Sequence, residues 1–129
     1  MSVNLNDLNS LTLAYLGDAV YELYIREYLI ESGNGKPNKL HDKAIQYVSA
    51  EAQASIIHFL LDSHILTDQE ERIMKRGRNA KSVSVPKNIS VQNYRYSTGF
   101  EALIGYLYIQ KDKERLQELI QLSIEFINN

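Results

Sequence analysis

Apolar residues recur at three- and four-residue spacing along most of the chain, which is the periodicity of amphipathic helices. Six such segments follow one another, and each begins or ends at capping or turn residues. The predicted helices cover residues 11–30, 38–48, 50–61, 67–77, 91–110 and 113–127. Residues 82–85 alternate like a strand, but one short strand has nothing to pair with, so we predict an ordered loop there. The pattern therefore predicts an all-α fold, a helical bundle forming one domain over residues 1–129.

Local signals set the ends of these helices. Pro37 suits the first turn of the second helix, where its missing N–H costs nothing. Ser49 and Ser90 are good N-caps for the third and fifth helices. Thr67 followed three residues later by Glu70 predicts a capping box ahead of the fourth helix.

Two carboxylates stand out because they interrupt apolar helical segments. Asp18 lies between Gly17 and Ala19 in the first helix, and Glu101 precedes Ala102 in the fifth. We expect both to be buried, and an unpaired charge in an apolar medium is costly, so each needs a partner. Small residues near both positions would let the two helices approach closely, which predicts that Asp18 and Glu101 face each other.

Two facing carboxylates repel each other and must share either a proton or a cation. With oxygen ligands alone, the ion that fits best is Mg²⁺, with Mn²⁺ as a substitute. Glu22 lies one turn beyond Asp18 and could support the same site, or it could pair with Arg26 at i+4. A structural salt bridge or a hydrogen-bonded buried acid is the alternative for each member of the carboxylate pair.

The net charge of −2 is unevenly distributed. From Arg72 to Phe100 there is no acidic residue, whereas 7 of the 14 basic residues fall there. One basic segment in an otherwise acidic chain points to an anionic partner, with a solvated charged loop as the alternative. The chain has no cysteine and three scattered histidines, so neither a thiolate site nor a histidine metal site is expected. It shows no signal peptide and no long uncharged apolar segment, so we expect a cytoplasmic protein that does not enter membranes.

Two motifs resemble a known family. The segment Leu-Gly-Asp-Ala-Val around Asp18, followed by Glu22, resembles the signature helix of ribonuclease III. The segment Phe-Glu-Ala-Leu-Ile-Gly around Glu101 resembles that family's second metal-binding helix. The order of the intervening segments also fits, so the resemblance covers nearly the whole chain. It implies an all-α endonuclease domain in which Asp18 and Glu101 are the catalytic, metal-binding residues.

Two departures from the family pattern indicate which branch of the family the chain resembles. Ala14 and Thr98 stand where the full-length enzymes carry further carboxylates. The sequence ends at Asn129, before the usual double-stranded-RNA-binding domain. These features resemble the short bacterial branch of the family, the Mini-ribonuclease III enzymes. The resemblance implies a homodimeric, Mg²⁺-dependent endoribonuclease that matures the ends of 23S ribosomal RNA in double-stranded precursor stems.

The resemblance and the carboxylate pair together predict metal-assisted hydrolysis of RNA. We expect Thr98, one turn before Glu101, to orient a metal-bound water. The basic residues expected to grip backbone phosphates are Lys75, Arg76, Arg78 and Lys81. A ribosomal protein is a further candidate partner. Two alternatives stay open: a non-catalytic double-stranded-RNA-binding module on the same scaffold, and an all-α interaction protein whose acids are structural.

Overall fold

A computed structural model describes residues 9–33, 35–81 and 85–129. Within these residues the chain forms six α-helices and no strand. They are α1 (Ser10–Glu31), α2 (Pro37–Val48), α3 (Ala50–Asp62), α4 (Asp68–Asn79), α5 (Val91–Ile109) and α6 (Lys113–Asn128). The all-α prediction is confirmed, and the helix ends agree with the predicted ones within about two residues. The predicted loop lies mostly outside the described residues, because only Val85 of residues 82–85 is described.

The predicted caps form as the sequence indicated. Ser49 Oγ accepts the backbone N–H of Ala52 at 3.2 Å, and Ser90 Oγ accepts that of Asn93 at 3.0 Å. Thr67 and Glu70 exchange side-chain and backbone hydrogen bonds, which completes the capping box. These caps satisfy N–H groups that have no partner inside their helices.

The central helix of the bundle is α5, which packs against α1, α3, α4 and α6. Every residue from Ser97 to Leu107 is buried except Glu101, which is partly exposed. A helix that is apolar on all sides is stable only when its neighbours cover it, which explains the long apolar run. Buried residues from all six helices join in one core. That one domain extends over all of residues 1–129 stays a prediction.

An ion pair joins α4 to α6. Arg115 donates to both carboxylate oxygens of Glu70, at 2.8 and 2.7 Å, and to the carbonyl oxygen of Ile65 at 2.8 Å. Burial opposes ionisation of Glu70, but hydrogen bonds from Arg115 and Thr67 outweigh it and lower the pKa of this carboxyl. The pair links one end of the bundle across 45 residues of sequence. Within the described part of the chain, no helix is long and apolar enough to cross a membrane.

Candidate active site

The helices α1 and α5 cross with their backbones in contact. A Cβ atom added at Gly17 would lie 1.7 Å from the carbonyl oxygen of Glu101 and 2.8 Å from the amide nitrogen of Gly105. A Cβ atom added at Gly105 would lie 2.0 Å from the carbonyl oxygen of Leu13. Only glycine fits at either position. The predicted close approach of the two helices is therefore confirmed.

This crossing brings Asp18 and Glu101 together. Asp18 follows Gly17, and Gly17 lies against the backbone carbonyl of Glu101, so the two carboxyl groups are close enough to interact. Burial raises the pKa of Glu101 to about 9, and the hydrogen bond and negative charge of Asp18 add to the rise. A hydrogen bond from Gln53 acts in the opposite direction. At neutral pH and without a cation, Glu101 therefore keeps its proton, which relieves its repulsion by the neighbouring carboxyl group.

The expectation that Asp18 is buried is wrong, because its side chain is exposed. The buried face of α1 contains Leu13, Gly17 and Val20. One residue advances a helix by 100°, so Asp18 stands at the edge of that face rather than within it. Glu101 is partly buried and contributes the desolvated half of the pair. The pair thus lies at a surface where a large substrate could reach it.

The chemistry of the pair fits a hard divalent cation. Two adjacent carboxyl groups, of which one keeps a proton only through burial and repulsion, can exchange that proton for a cation. Mg²⁺ usually takes one or two protein carboxylates and keeps water in its remaining positions. Among residues 9–33, 35–81 and 85–129, no group of three or more histidine, aspartate or glutamate side chains could hold a metal. Asp18 and Glu101 would be the two carboxylates of this site that hold the ion.

The two supporting residues predicted for the site have other partners. Glu22 forms an ion pair with Arg26 at 3.3 Å, one of the two roles that the sequence left open for it. The hydroxyl group of Thr98 is buried and donates to the carbonyl oxygen of Tyr94 at 2.9 Å. Its lone pairs can still accept a hydrogen bond, so a role in orienting water stays a prediction. Ala14, one turn before Asp18, is buried and supplies no ligand.

Gln53 of α3 is a contact of the site that the sequence analysis did not single out. Its Nε2 atom donates to Glu101 Oε2 at 3.4 Å, and the side chain is 2% exposed. The sequence feature that could have indicated this contact is the position of Gln53, four residues before Ile57 on the inward-facing stripe of α3. A polar residue on such a stripe indicates a buried partner.

The basic residues of α4 and of the segment directly after it divide between two surfaces. Lys75, Arg76 and Lys81 line an open depression of about 640 Å³, together with Arg72 and the first residues of α1. We call this depression the basic groove. Lys75 also forms an ion pair with Glu71 at 3.6 Å. The N-terminal end of α1 adds partial positive charge to that of the side chains.

Arg78 lies away from the basic groove. Its guanidinium is 5.4 Å from the ring centre of Tyr96, and its Nε donates to Asn79 at 3.1 Å. The ring of His58 packs against the same tyrosine in a tilted arrangement, with ring centres 4.2 Å apart. The four predicted RNA-binding residues therefore do not form a single patch: three line the groove and Arg78 faces α5.

Comparison with known families relates the carboxylate pair and the basic residues to a known class of enzyme. The profile of the Ribonuclease III domain matches residues 11–112, which include both carboxylates and the basic segment. The chain belongs to the ribonuclease III family. It is accordingly an endoribonuclease, as the sequence predicted.

Named relatives support membership of this ribonuclease III family. The chain is 55% identical to the Mini-ribonuclease 3 of Enterococcus faecalis over 92% of this chain and 89% of the relative. It is 50% identical to that of Streptococcus pneumoniae over 95% and 96%, respectively. A crystal structure of a protein from Fusobacterium nucleatum is similar to this one, with a TM-score of 0.83 and 31% identity. This structural similarity covers 96% of this chain and 98% of the Fusobacterium chain. The predicted ribonuclease III-like fold is thereby confirmed.

Proposed function

We propose that this ribonuclease III family enzyme cleaves double-stranded RNA with Mg²⁺ held by Asp18 and Glu101, and that Mn²⁺ can substitute. The supporting observation is the carboxylate pair, which the crossing of α1 and α5 places at an accessible edge. Its substrate is the precursor of 23S ribosomal RNA, cut in double-stranded stems. This substrate is the one implied by the resemblance to the Mini-ribonuclease III branch, whose name two relatives of this chain carry.

The roles of the two carboxylates follow from their environments. When bound, Mg²⁺ polarises the scissile phosphate and lowers the pKa of a coordinated water. Asp18 is exposed and approaches from the solvent side, while Glu101 is held inside by α5 and Gln53. Loss of the proton from Glu101 leaves its carboxylate charged, which suits it to bind a cation. Thr98 and Glu22 would assist from the adjacent turns of α5 and α1.

The basic groove supplies affinity for the RNA backbone. A-form duplex RNA presents phosphates and 2′-hydroxyl groups more readily than base edges, so contacts from Lys75, Arg76 and Lys81 confer little sequence preference. Arg78, held against Tyr96, contacts the backbone from the neighbouring surface. Salt-dependent binding follows, because each neutralised phosphate releases counterions.

The enzyme acts as a homodimer in the cytoplasm, and a ribosomal protein shapes its substrate. One face of α1 supports the dimer: Tyr15, Leu23 and Ile30 are 84, 64 and 60% exposed. Their spacing of eight and seven residues places them within about 80° of each other around the helix, in a sector that also holds Ala19 and the exposed Arg26. An exposed apolar stripe of this kind indicates an interface. Two subunits would supply one site for each RNA strand.

The direct test is cleavage of a structured 23S precursor by Asp18→Asn. The wild type should cut in Mg²⁺ and not in EDTA, and the variant should lose at least about a hundredfold in rate while keeping its circular dichroism spectrum. Glu27→Gln is the matched control, because Glu27 lies nine residues further along α1, on the opposite side of the helix, and is exposed. An Asp18→Asn variant that cleaves like the wild type would refute the proposed site. Duplex binding without any cleavage by the wild type would favour the non-catalytic RNA-binding module. A wild type that neither binds nor cleaves duplex RNA would favour the all-α interaction protein.

The basic groove is tested by its salt dependence. Replacing Lys75, Arg76 and Lys81 together by alanine should weaken duplex binding and reduce the slope of log affinity against log salt by about two to three. The control replaces Lys36, Lys39 and Lys113, which are exposed outside the basic groove, by alanine. It removes the same amount of charge and should change the slope much less. Equal slopes for the two triple variants would contradict the assignment of the groove.

A further inference from the structure

The side-chain amide of Gln53 connects three helices at the carboxylate pair. Gln53 lies in the first turn of α3, where its backbone N–H donates to the Ser49 carbonyl oxygen at 3.0 Å. Its Nε2 donates to the carbonyl oxygen of Val48, the last residue of α2, at 3.1 Å, and to Glu101 Oε2 on α5 at 3.4 Å. Both hydrogens of the amide nitrogen are therefore used. The Gln53 side chain holds the corner between α2 and α3 against Glu101.

The orientation of this amide follows from its neighbours. The carbonyl oxygen of Val48 can only accept a hydrogen bond, so the nitrogen of Gln53 must face it rather than the oxygen. Because the same nitrogen faces Glu101, the contact is a donation to the carboxylate. The contact of 3.4 Å is long, as hydrogen bonds around reactive groups often are before substrate binds.

Packing alone does not account for a glutamine at this place. Gln53 Oε1 is buried and has no hydrogen-bond partner among the described residues. A buried oxygen without a partner is destabilising, and methionine would fill the same space without that oxygen, at the loss of the side-chain donor to Val48. A lysine or arginine there would pair with Glu101 and compete with a cation. An amide orients the carboxylate and leaves its charge uncompensated.

We propose that Gln53 is a positioning residue, which holds the carboxylate of Glu101 beside Asp18 in the arrangement that binds a divalent cation. This inference rests on the proposed metal-dependent function. If Asp18 and Glu101 are the two carboxylates that hold the ion, misplacing Glu101 disturbs one of them. Hydrogen-bond partners of metal ligands commonly change metal affinity by about 10- to 100-fold when they are removed.

The experiment measures Mn²⁺ binding to the RNA-free protein by electron paramagnetic resonance, alongside Mg²⁺-dependent cleavage. Gln53→Met should bind Mn²⁺ about tenfold more weakly than the wild type. The Mg²⁺ concentration for half-maximal cleavage should rise by a similar factor, and saturating Mg²⁺ should restore most of the rate. Gln46→Met is the matched control, because Gln46 is exposed on α2, and it should behave as the wild type. If Gln53→Met does not fold, Gln53→Asn replaces it, since its amide is one methylene short of Glu101.

The outcomes separate the positioning role of Gln53 from the proposed metal-dependent function. A folded Gln53 variant with wild-type Mn²⁺ affinity and Mg²⁺ dependence overturns the positioning role and leaves the proposed function intact. A variant whose lost activity is not recovered at saturating Mg²⁺, with unchanged Mn²⁺ binding, also overturns it. A wild type that neither binds Mn²⁺ nor cleaves overturns the proposed function and this inference with it.

Discussion

Replacing Gly17 by alanine tests the backbone contact between α1 and α5. The added methyl group would lie 1.7 Å from the carbonyl oxygen of Glu101, whereas real Cβ contacts essentially never fall below 3.0 Å. Backbone atoms of a buried helix cannot rotate away, so the two helices must separate. Overpacking of this severity costs about 3 kcal/mol, and the higher helix propensity of alanine returns ~1 kcal/mol. We expect a net loss of about 2 kcal/mol in the free energy of unfolding.

Thermal and urea unfolding measure this loss directly. In a domain of this size, a loss of about 2 kcal/mol lowers Tm by roughly 6–10 °C. Because the separation also moves Asp18 relative to Glu101, Mg²⁺-dependent cleavage should fall even well below Tm. Gly35→Ala is the control, since nothing lies within 4 Å of an added methyl group there, and it should change stability by less than about 0.5 kcal/mol. A Gly17→Ala protein as stable as the wild type would refute the close crossing.

Two further predictions concern the dimer and the carboxylate pair. The wild type should sediment as a dimer and Leu23→Glu as a monomer, because a charge would enter the apolar stripe of α1; a monomeric wild type would exclude the dimer. In metal-free protein, burial and Asp18 raise the pKa of Glu101 from 4.5 in the unfolded chain to about 9, so the folded state binds the extra proton. This contribution to the free energy of unfolding is complete below pH 4.5 and is lost as pH rises through 9, with a slope of up to ~1.4 kcal/mol per pH unit. Urea titrations in EDTA should show this decline, and Glu101→Gln should abolish it; parallel pH profiles for the two proteins would contradict the raised pKa.

Local features of the fold could be predicted because their causes are local. Helix periodicity, the N-caps at Ser49 and Ser90 and the capping box at Thr67 depend on residues within one turn of each other. Pairing of Asp18 with Glu101 was also predictable, although 83 positions separate them. Each lies beside small residues in an apolar helix, and that combination allows close approach of two backbones.

Other features of the site depend on how far each helix is rotated against its neighbours. Gln53 could not be assigned to Glu101, because its sequence position shows only that it faces inward and not which helix it meets. The basic residues of α4 divide between two surfaces because successive residues point 100° apart, so a charge cluster in sequence becomes two groups in space.

The amino-acid sequence by itself determined the six helices, their caps and the two carboxylates that form the candidate site, since these follow from periodicity and short-range chemistry. Only the tertiary structure decided that Asp18 is exposed while Glu101 is partly buried. The reason is the crossing at Gly17 and Gly105, where backbone contact fixes the rotation of α1 against α5. That rotation places one carboxylate in solvent and the other against Gln53, and no local pattern encodes it.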